Sequence, residues 1–332
     1  VKQNIRIALG QMQELTHETM TYARQLGVSS VQLNTPNIPG EACWSYEDLY
    51  AIKKTCDDNG LFLESIENVP IRFYDKIMLG LPGRDEQIEN YRTIIRHMGR
   101  AGIPVLGHHF MPNFVWRTSS EPGRGGALCT AFDLEAAASG INQVKYAANR
   151  EVRIPDESVM WDNYAYFLNA VIPVAEEAGV RLALHPDDPP VAMLDGTARI
   201  FYKVENFKRA EAIADSEAWG LNLCLGCCSE MVYGAANVME MIRYFGPRNK
   251  ICYVHFRDVQ GTMPKFQECF LGEGNYHPAE VLLELKRSGF TGFLMDDHVP
   301  SVINDSPWGH RARAHAVGYM QGLLNALELI ER

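Results

Sequence analysis

The chain contains no run of about 18 consecutive apolar residues, the length a membrane-crossing helix needs, although 46% of its residues are hydrophobic. No membrane partner is expected. Blocks of lysine or arginine are missing too: 31 basic residues stand against 41 acidic ones, for a net charge of −10, which argues against nucleic acid as a partner. An acidic chain that binds an anion needs a local cation to do so, either a metal ion or a well-placed arginine. The opening VKQNIRIALG has neither the basic start nor the small-residue cleavage site of a secretory signal, so a cytoplasmic location is expected. Eight cysteines in 332 residues do not make a disulfide framework, and they are expected as reduced thiols packed as small hydrophobes. No GxGxxG follows the first strand-like segment, which counts against an open dinucleotide-binding sheet.

What the sequence does have is alternation. Strands are expected at Ile5 to Leu9, Ser30 to Leu33, Leu61 to Ile66, Val105 to Phe110, Arg181 to Leu184, Gly220 to Cys224, Ile251 to Phe256 and Gly292 to Met295. Amphipathic helical patterns fall between and after them, at Thr16 to Gln25, Tyr46 to Asn59, Asp85 to Ala101, Ser158 to Ala178, Glu205 to Ala214, Val238 to Phe245, Pro278 to Ser288 and Arg313 to Glu331. Gly27, Gly60, Gly102, Gly179 and Gly289 stand where helices should end before strands. Repeated strand, helix and glycine implies parallel pairing through crossovers, and eight such units close into a (β/α)8 TIM barrel, here a single domain over 1–332. Residues 111–157 form one long βα loop, with an extra helix expected over Phe132 to Ala148. Loops of this kind lie on the catalytic face, so a lid or a contact in a homodimer or larger homo-oligomer is expected there.

Barrel active sites are built at the C-terminal ends of the strands. Collecting the residues at those ends gives Asn34, Glu67, His109, His185, Cys224, His255 and Asp297. The last four come from consecutive strands and offer an imidazole, a thiol, an imidazole and a carboxylate, the ligand types a divalent transition metal takes. Each alone has an ordinary structural use, such as core packing for Cys224 or a helix cap for Asp297. CLGCC contains a CxxC, Cys224 to Cys227, but no second pair to make a zinc knuckle. In LALHPDDPP the prolines stop the strand near His185 and stiffen its exit.

LALHPDDPP, IPGEACWSYEDL, ESIENVPI, IENYRTIIRHMGRAGIPVLGHHFMPNFVW, VHFRDV and FQECFLGEGN together resemble the mannonate dehydratases of the xylose-isomerase-like barrel group, in order and over most of the chain. The resemblance implies one Mn2+ or Fe2+ held by His185, Cys224, His255 and Asp297, the quartet that the strand ends supply. It also implies loss of water from a sugar acid to give a 2-keto-3-deoxy acid, with the cation offsetting the carboxylate charge that opposes removal of the C2 proton. His298, matching the family's Asp-His pair, is the expected proton carrier. Arg257 is expected to face the same mouth, as a catalytic group or a clamp for the substrate carboxylate or hydroxyls. Asp187 and Asp188 are expected to support the ligands, one orienting a ligand imidazole and the other capping the following loop, while Asn34 is expected to meet the substrate and Glu67 and His109 to meet its hydroxyls or relay a proton.

The chain departs from the family pattern at three places. An ungapped match through SPWGHRARAH puts His310 where the family has a catalytic tyrosine, and His109 and Val115 replace an asparagine and an aspartate around FMPNFVW. The alternatives to dehydration are a metal-dependent sugar isomerase or epimerase on the same barrel, and a non-catalytic sugar-acid sensor.

Overall fold

The computed structural model describes residues 5–144 and 152–330. Eight strands, β1 (Arg6–Met12), β2 (Ser30–Asn34), β3 (Phe62–Glu67), β4 (Val105–His108), β5 (Arg181–Leu184), β6 (Trp219–Cys224), β7 (Ile251–His255) and β8 (Phe293–Met295), close into one barrel in sequence order. Every pairing in it is parallel. The barrel helices are α1 (His17–Gln25), α2 (Tyr46–Asp58), α3 (Arg84–Ala101), α4 (Glu157–Ala178), α5 (Val204–Ala214), α6 (Ala235–Phe245), α7 (Pro278–Arg287) and α8 (His310–Ile330). Parallel strands need crossovers, and these amphipathic helices supply them while sealing the outer face of the sheet. The five glycines at helix ends all adopt φ between 66° and 84°, the left-handed conformation that ends a helix at low cost.

The long loop is organised, though not as a 17-residue helix. Ser119–Pro122 and Leu128–Asp133 form a hairpin, and Asp258–Thr262 and Lys265–Cys269 form a second one, joined to it as a four-stranded antiparallel sheet. The expected helix is reduced to Leu134–Ala138, capped by Asp133, whose carboxylate accepts from the Glu135 and Ala136 N–H groups. Its expected continuation over 145–148 lies outside the described residues. Strand pairing takes Phe132 from the helix because its ring stacks on Phe266 across the hairpins, with centroids 5.7 Å apart. Trp116, Phe132, Val191, Leu194, Val259 and Phe266 make a small core of their own beneath this sheet. The sheet stands at the mouth, because its second hairpin is the loop that follows β7. Two further short helices lie in the loops after strands: Leu225–Glu230 follows β6 directly, and Asp75–Leu79 follows β3 after a short 3-10 turn, Ile71–Phe73.

Candidate metal centre and catalytic pocket

Register brings the strand ends together. Cys224 pairs with His255 and His255 with Met295, so the last residues of β6 and β7 are neighbours and Asp297, two beyond Met295, lies on the same face. His185 directly follows β5, and its N–H still donates to the His108 carbonyl at 2.8 Å, which fixes its direction. The ligand-type atoms of His185, Cys224, His255 and Asp297 all lie within 4.8 Å of one another, and all four residues are buried. His185 Nδ1 donates to the Pro186 carbonyl at 2.7 Å, leaving Nε2 for the cluster. His255 Nε2 stands 3.0 Å from Glu67 Oε2, leaving Nδ1, a buried atom with no hydrogen-bond partner among the described residues. Burial opposes ionisation of Cys224, but the Cys227 thiol, Arg257 and the two imidazoles outweigh it and hold the thiol well below its usual range. Asp297 is likewise kept ionised against burial by His298, His255 and Arg257. An unpartnered ring nitrogen facing a thiolate and a carboxylate is a donor set that fits a divalent cation.

The centre borders a cavity of about 560 Å³, an ordinary size for a small-molecule site. His298 lies on its wall with its side chain 38% exposed; Nδ1 meets Glu268 Oε1 at 2.6 Å and Nε2 is 3.8 Å from Asp297 Oδ1. Burial works against protonation of this imidazole, yet Asp297 and Glu268 win and raise its pKa. Asn34 donates to Gln11 at 2.7 Å and Gln11 donates to Asp297 Oδ1 at 2.9 Å, so Asn34 reaches the centre through a relay. Glu67 is committed to His255 and Gln32.

Several expected positions fall differently. Arg257 is 2% exposed and is not among the residues lining the cavity; its guanidinium is behind the quartet, tied to Glu268 at 2.7 Å and Glu230 at 3.1 Å. It is therefore not placed to clamp a substrate carboxylate. His310 is not on the cavity wall either: Nδ1 meets Ser306 Oγ at 2.5 Å and the ring packs edge-on against Tyr22 and Trp308. The aromatic residue that this stretch sends to the cavity is Trp308, two positions earlier, whose indole N–H is spent on the Gln11 carbonyl at 2.9 Å. His109 lines the cavity with both ring nitrogens engaged, Nδ1 accepting from the Met111 N–H and Nε2 meeting Tyr74 Oη; it offers a ring wall and no spare proton. Asp187 does not orient a ligand imidazole, a task done by Pro186 and Glu67, but accepts the Phe201 N–H at 2.6 Å. Asp188 is held in a two-point pair with Arg117 at 2.5 and 2.9 Å. Val115 does lie on the cavity wall.

Reading strand ends missed Glu268, Arg117, Arg313 and Gln11, all of them on the cavity wall. Gln11 was within reach of the same operation, since β1 runs on to Met12. Glu268 had a weaker signal: in KFQEC, alternation puts Phe266 and Glu268 on one face.

This architecture, a closed parallel barrel with its polar centre at the strand C-termini, is that of the xylose-isomerase-like TIM barrels. D-psicose 3-epimerase from Clostridium cellulolyticum H10 shares the fold at TM-score 0.62 and 14% identity, covering 96% of this chain and 99% of that one. A much nearer likeness is the mannonate dehydratase of Streptococcus suis serotype 2, at TM-score 0.86 and 30% identity over 97% of this chain and 95% of that one. Residues 9–332 match the family "D-mannonate dehydratase (UxuA)". The mannonate dehydratase of Thermotoga maritima is 32% identical over 95% of this chain and 96% of its own length, and mannonate dehydratase 2 of Halalkalibacterium halodurans is 31% identical over 89% of each. The chain belongs to the D-mannonate dehydratase (UxuA) family and is a hydro-lyase.

Proposed function

We propose that the protein is a metal-dependent dehydratase of a sugar acid, D-mannonate or a related aldonate, yielding the 2-keto-3-deoxy acid and water. One observation carries this reading: four metal-type donors converge beside an accessible imidazole at a single cavity. His185, Cys224, His255 and Asp297 would hold a divalent ion, Mn2+ or Fe2+, which when bound supplies Lewis acidity that offsets the substrate's carboxylate charge. His298 is the proton carrier. With Nδ1 turned to Glu268, its Nε2 takes the proton from C2 or delivers one to the departing 3-hydroxyl. Arg313, also on the wall, directs Nη1 at Asp296 and Nε at the Trp308 carbonyl, and its Nη2 has no hydrogen-bond partner among the described residues. That nitrogen is the cationic donor left for an anionic or hydroxyl-rich substrate, since Arg117 spends its side chain on Asp188, Glu268, Thr130 and the Trp116 carbonyl.

Because His109 and Val115 stand on the wall where the family pattern has an asparagine and an aspartate, selectivity among aldonates differs from that pattern. Membership of a hydro-lyase family favours dehydration over the isomerase and sensor alternatives. All eight cysteines are free thiols, as a reducing compartment keeps them, so a cytoplasmic location is part of this reading; so is a single barrel domain, since eight strands close one barrel. Among the described residues no helix is long and apolar enough to cross a membrane. Self-association into a dimer or larger assembly would use the loop after β4, where Leu128 is 54% exposed. Incubation of the protein with D-mannonate and its stereoisomers, anaerobically with Mn2+ or Fe2+, tests the function. Formation of a 2-keto-3-deoxy acid is expected, and quantitative recovery of every acid from metal-loaded protein overturns the reading.

A further inference from the structure

Behind the metal quartet lies a second group of ligand-type side chains, Asp188, Cys227 and Glu230, whose atoms also fall within 4.8 Å of one another. This group is not a second metal site, because a cation already fills it. Arg257 Nη2 stands 3.4 Å from Asp188, 3.0 Å from Cys227 Sγ and 3.1 Å from Glu230. The same nitrogen is 3.5 Å from Cys224 Sγ, and Nε is 3.3 Å from Asp297 Oδ2. One buried guanidinium thus joins the backing acids to two of the four residues assigned to the metal.

The local sequence makes room for it. Gly226 is the second residue of the short helix after β6, and a Cβ at that position would stand 2.5 Å from Arg257 Nε and 2.7 Å from its Cζ. Any side chain there displaces the guanidinium. Cys224 Sγ also accepts the Cys227 N–H at 3.5 Å, so the sulfur meets two N–H groups on the side away from the cavity. Hydrogen bonds to a thiolate draw charge from its lone pairs. Zinc binding to an imidazole and thiolate set depends heavily on sulfur donation, whereas harder ions lean on the carboxylate and imidazoles. Arginine does not lose its proton, so this influence is permanent.

We propose that Arg257 is a positioning residue of the metal centre whose contact with Cys224 weakens the thiolate as a donor and biases the centre from zinc toward manganese-like ions. This rests on the reading of the quartet as a metal centre.

The test is competitive binding of Zn2+ and Mn2+ to the metal-stripped full chain, with Co2+ loading read by its near-ultraviolet sulfur-to-metal band. Two variants are compared with the native protein: Arg257→Gln, which removes the cation, and Gly226→Ala, which displaces it and keeps its charge. In both, the zinc-to-manganese affinity ratio is expected to rise more than threefold, toward the roughly tenfold effects that outer partners of metal ligands exert, and the cobalt band to shift. A ratio within threefold of native, in either variant that circular dichroism shows folded and that still binds Co2+, overturns the proposal. If the native protein binds none of the three ions, the metal reading itself fails, which is a separate outcome.

Discussion

Glu268 Oε1 lies 2.6 Å from His298 Nδ1, and this pair joins two parts of the chain that play different structural parts. His298 follows the last barrel strand, whereas Glu268 comes from the sheet of hairpins at the mouth. The same carboxylate oxygen meets Arg117 at 2.8 Å and Arg257 at 2.7 Å. These cations and His298 overcome burial and hold Glu268 well below the usual carboxylate range. It therefore fixes the tautomer of His298 as a stationary anion and is itself no proton carrier.

Glu268→Gln keeps an acceptor near His298 but removes the charge. The expected result is a fall in kcat of about tenfold to a hundredfold, a fraction of what a positioned acid–base group contributes, with Co2+ binding retained. Thermal stability falls as well, because two buried arginines lose a counterion. Unchanged kcat in a folded, metal-loaded variant shows that the pair has no part in the reaction.

Arg313→Lys keeps the pairing charge for Asp296, which is 1% exposed, but loses the planar fork and the free Nη2. KM for the acid substrate should rise at least about tenfold while kcat changes less, since the lost contact is the same in ground and transition states. Steady-state kinetics with D-mannonate separates the two, and an unchanged KM shows that Arg313 does not touch the substrate.

His310 and Trp308 are distinguished by where their rings point. His310→Ala removes a ring that packs on Tyr22, so kcat should stay within about threefold of native, the size of effect expected for a group that does not carry the transferred proton. Trp308→Ala opens the cavity wall and should raise KM. A kcat collapse in His310→Ala, with KM unaffected, reverses this assignment.

The barrel was legible because its strands and helices repeat one strong pattern, and the convergence of His185, Cys224, His255 and Asp297 was legible because each stands at or just after a strand end. Even so, β1 was read as ending at Leu9, three residues short of Met12, and this hid Gln11. The sheet at the mouth was not legible. SSEP and KFQEC are short and polar; each pairs within its own hairpin, and the two hairpins become one sheet only where Lys265 to Gln267 pair with Ala131 to Asp133, more than a hundred residues away. Ungapped matching put His310 in a role that geometry denies it, because α8 begins at that residue and the preceding loop alone decides which ring enters the cavity. Arg257 was expected to face the mouth, and its motif does bring it beside the quartet, but sequence has no way to show on which side of Cys224 its guanidinium lies.

Metal removal should lower stability as well as activity. A ligand that binds only the folded chain stabilises it by RT ln(1 + [L]/Kd), about 2.7 kcal/mol at a hundredfold excess over Kd. Stripping with a chelator should therefore lower the melting temperature by several degrees, and Mn2+ should restore it. His255→Ala should abolish the Mn2+ response. A response that survives in this variant places the ion elsewhere.

Acid stability is expected to depend on His108, which does not belong to the site. Its ring faces the helix layer, 5.7 Å from the ring of Phe167 and 6.2 Å from that of Tyr164, and Nδ1 has no partner among the described residues. Burial lowers its pKa from 6.5 to about 3. Between these values the unfolded chain takes up a proton that the folded chain refuses, so the contribution of His108 to stability is complete above pH 6.5 and is lost as the pH falls. The slope approaches about 1.4 kcal/mol per pH unit for one proton, but the unfolded imidazole is already half protonated at pH 6.5, so the loss between pH 6.5 and 4.5 is about 2 kcal/mol. His108→Phe fills the same aromatic niche without a titrating group. Urea unfolding of the two proteins between pH 6.5 and 4.5 should show native stability falling relative to the variant by about that amount. Parallel stability profiles across this range mean that His108 charges in the folded state, and the packing argument then fails.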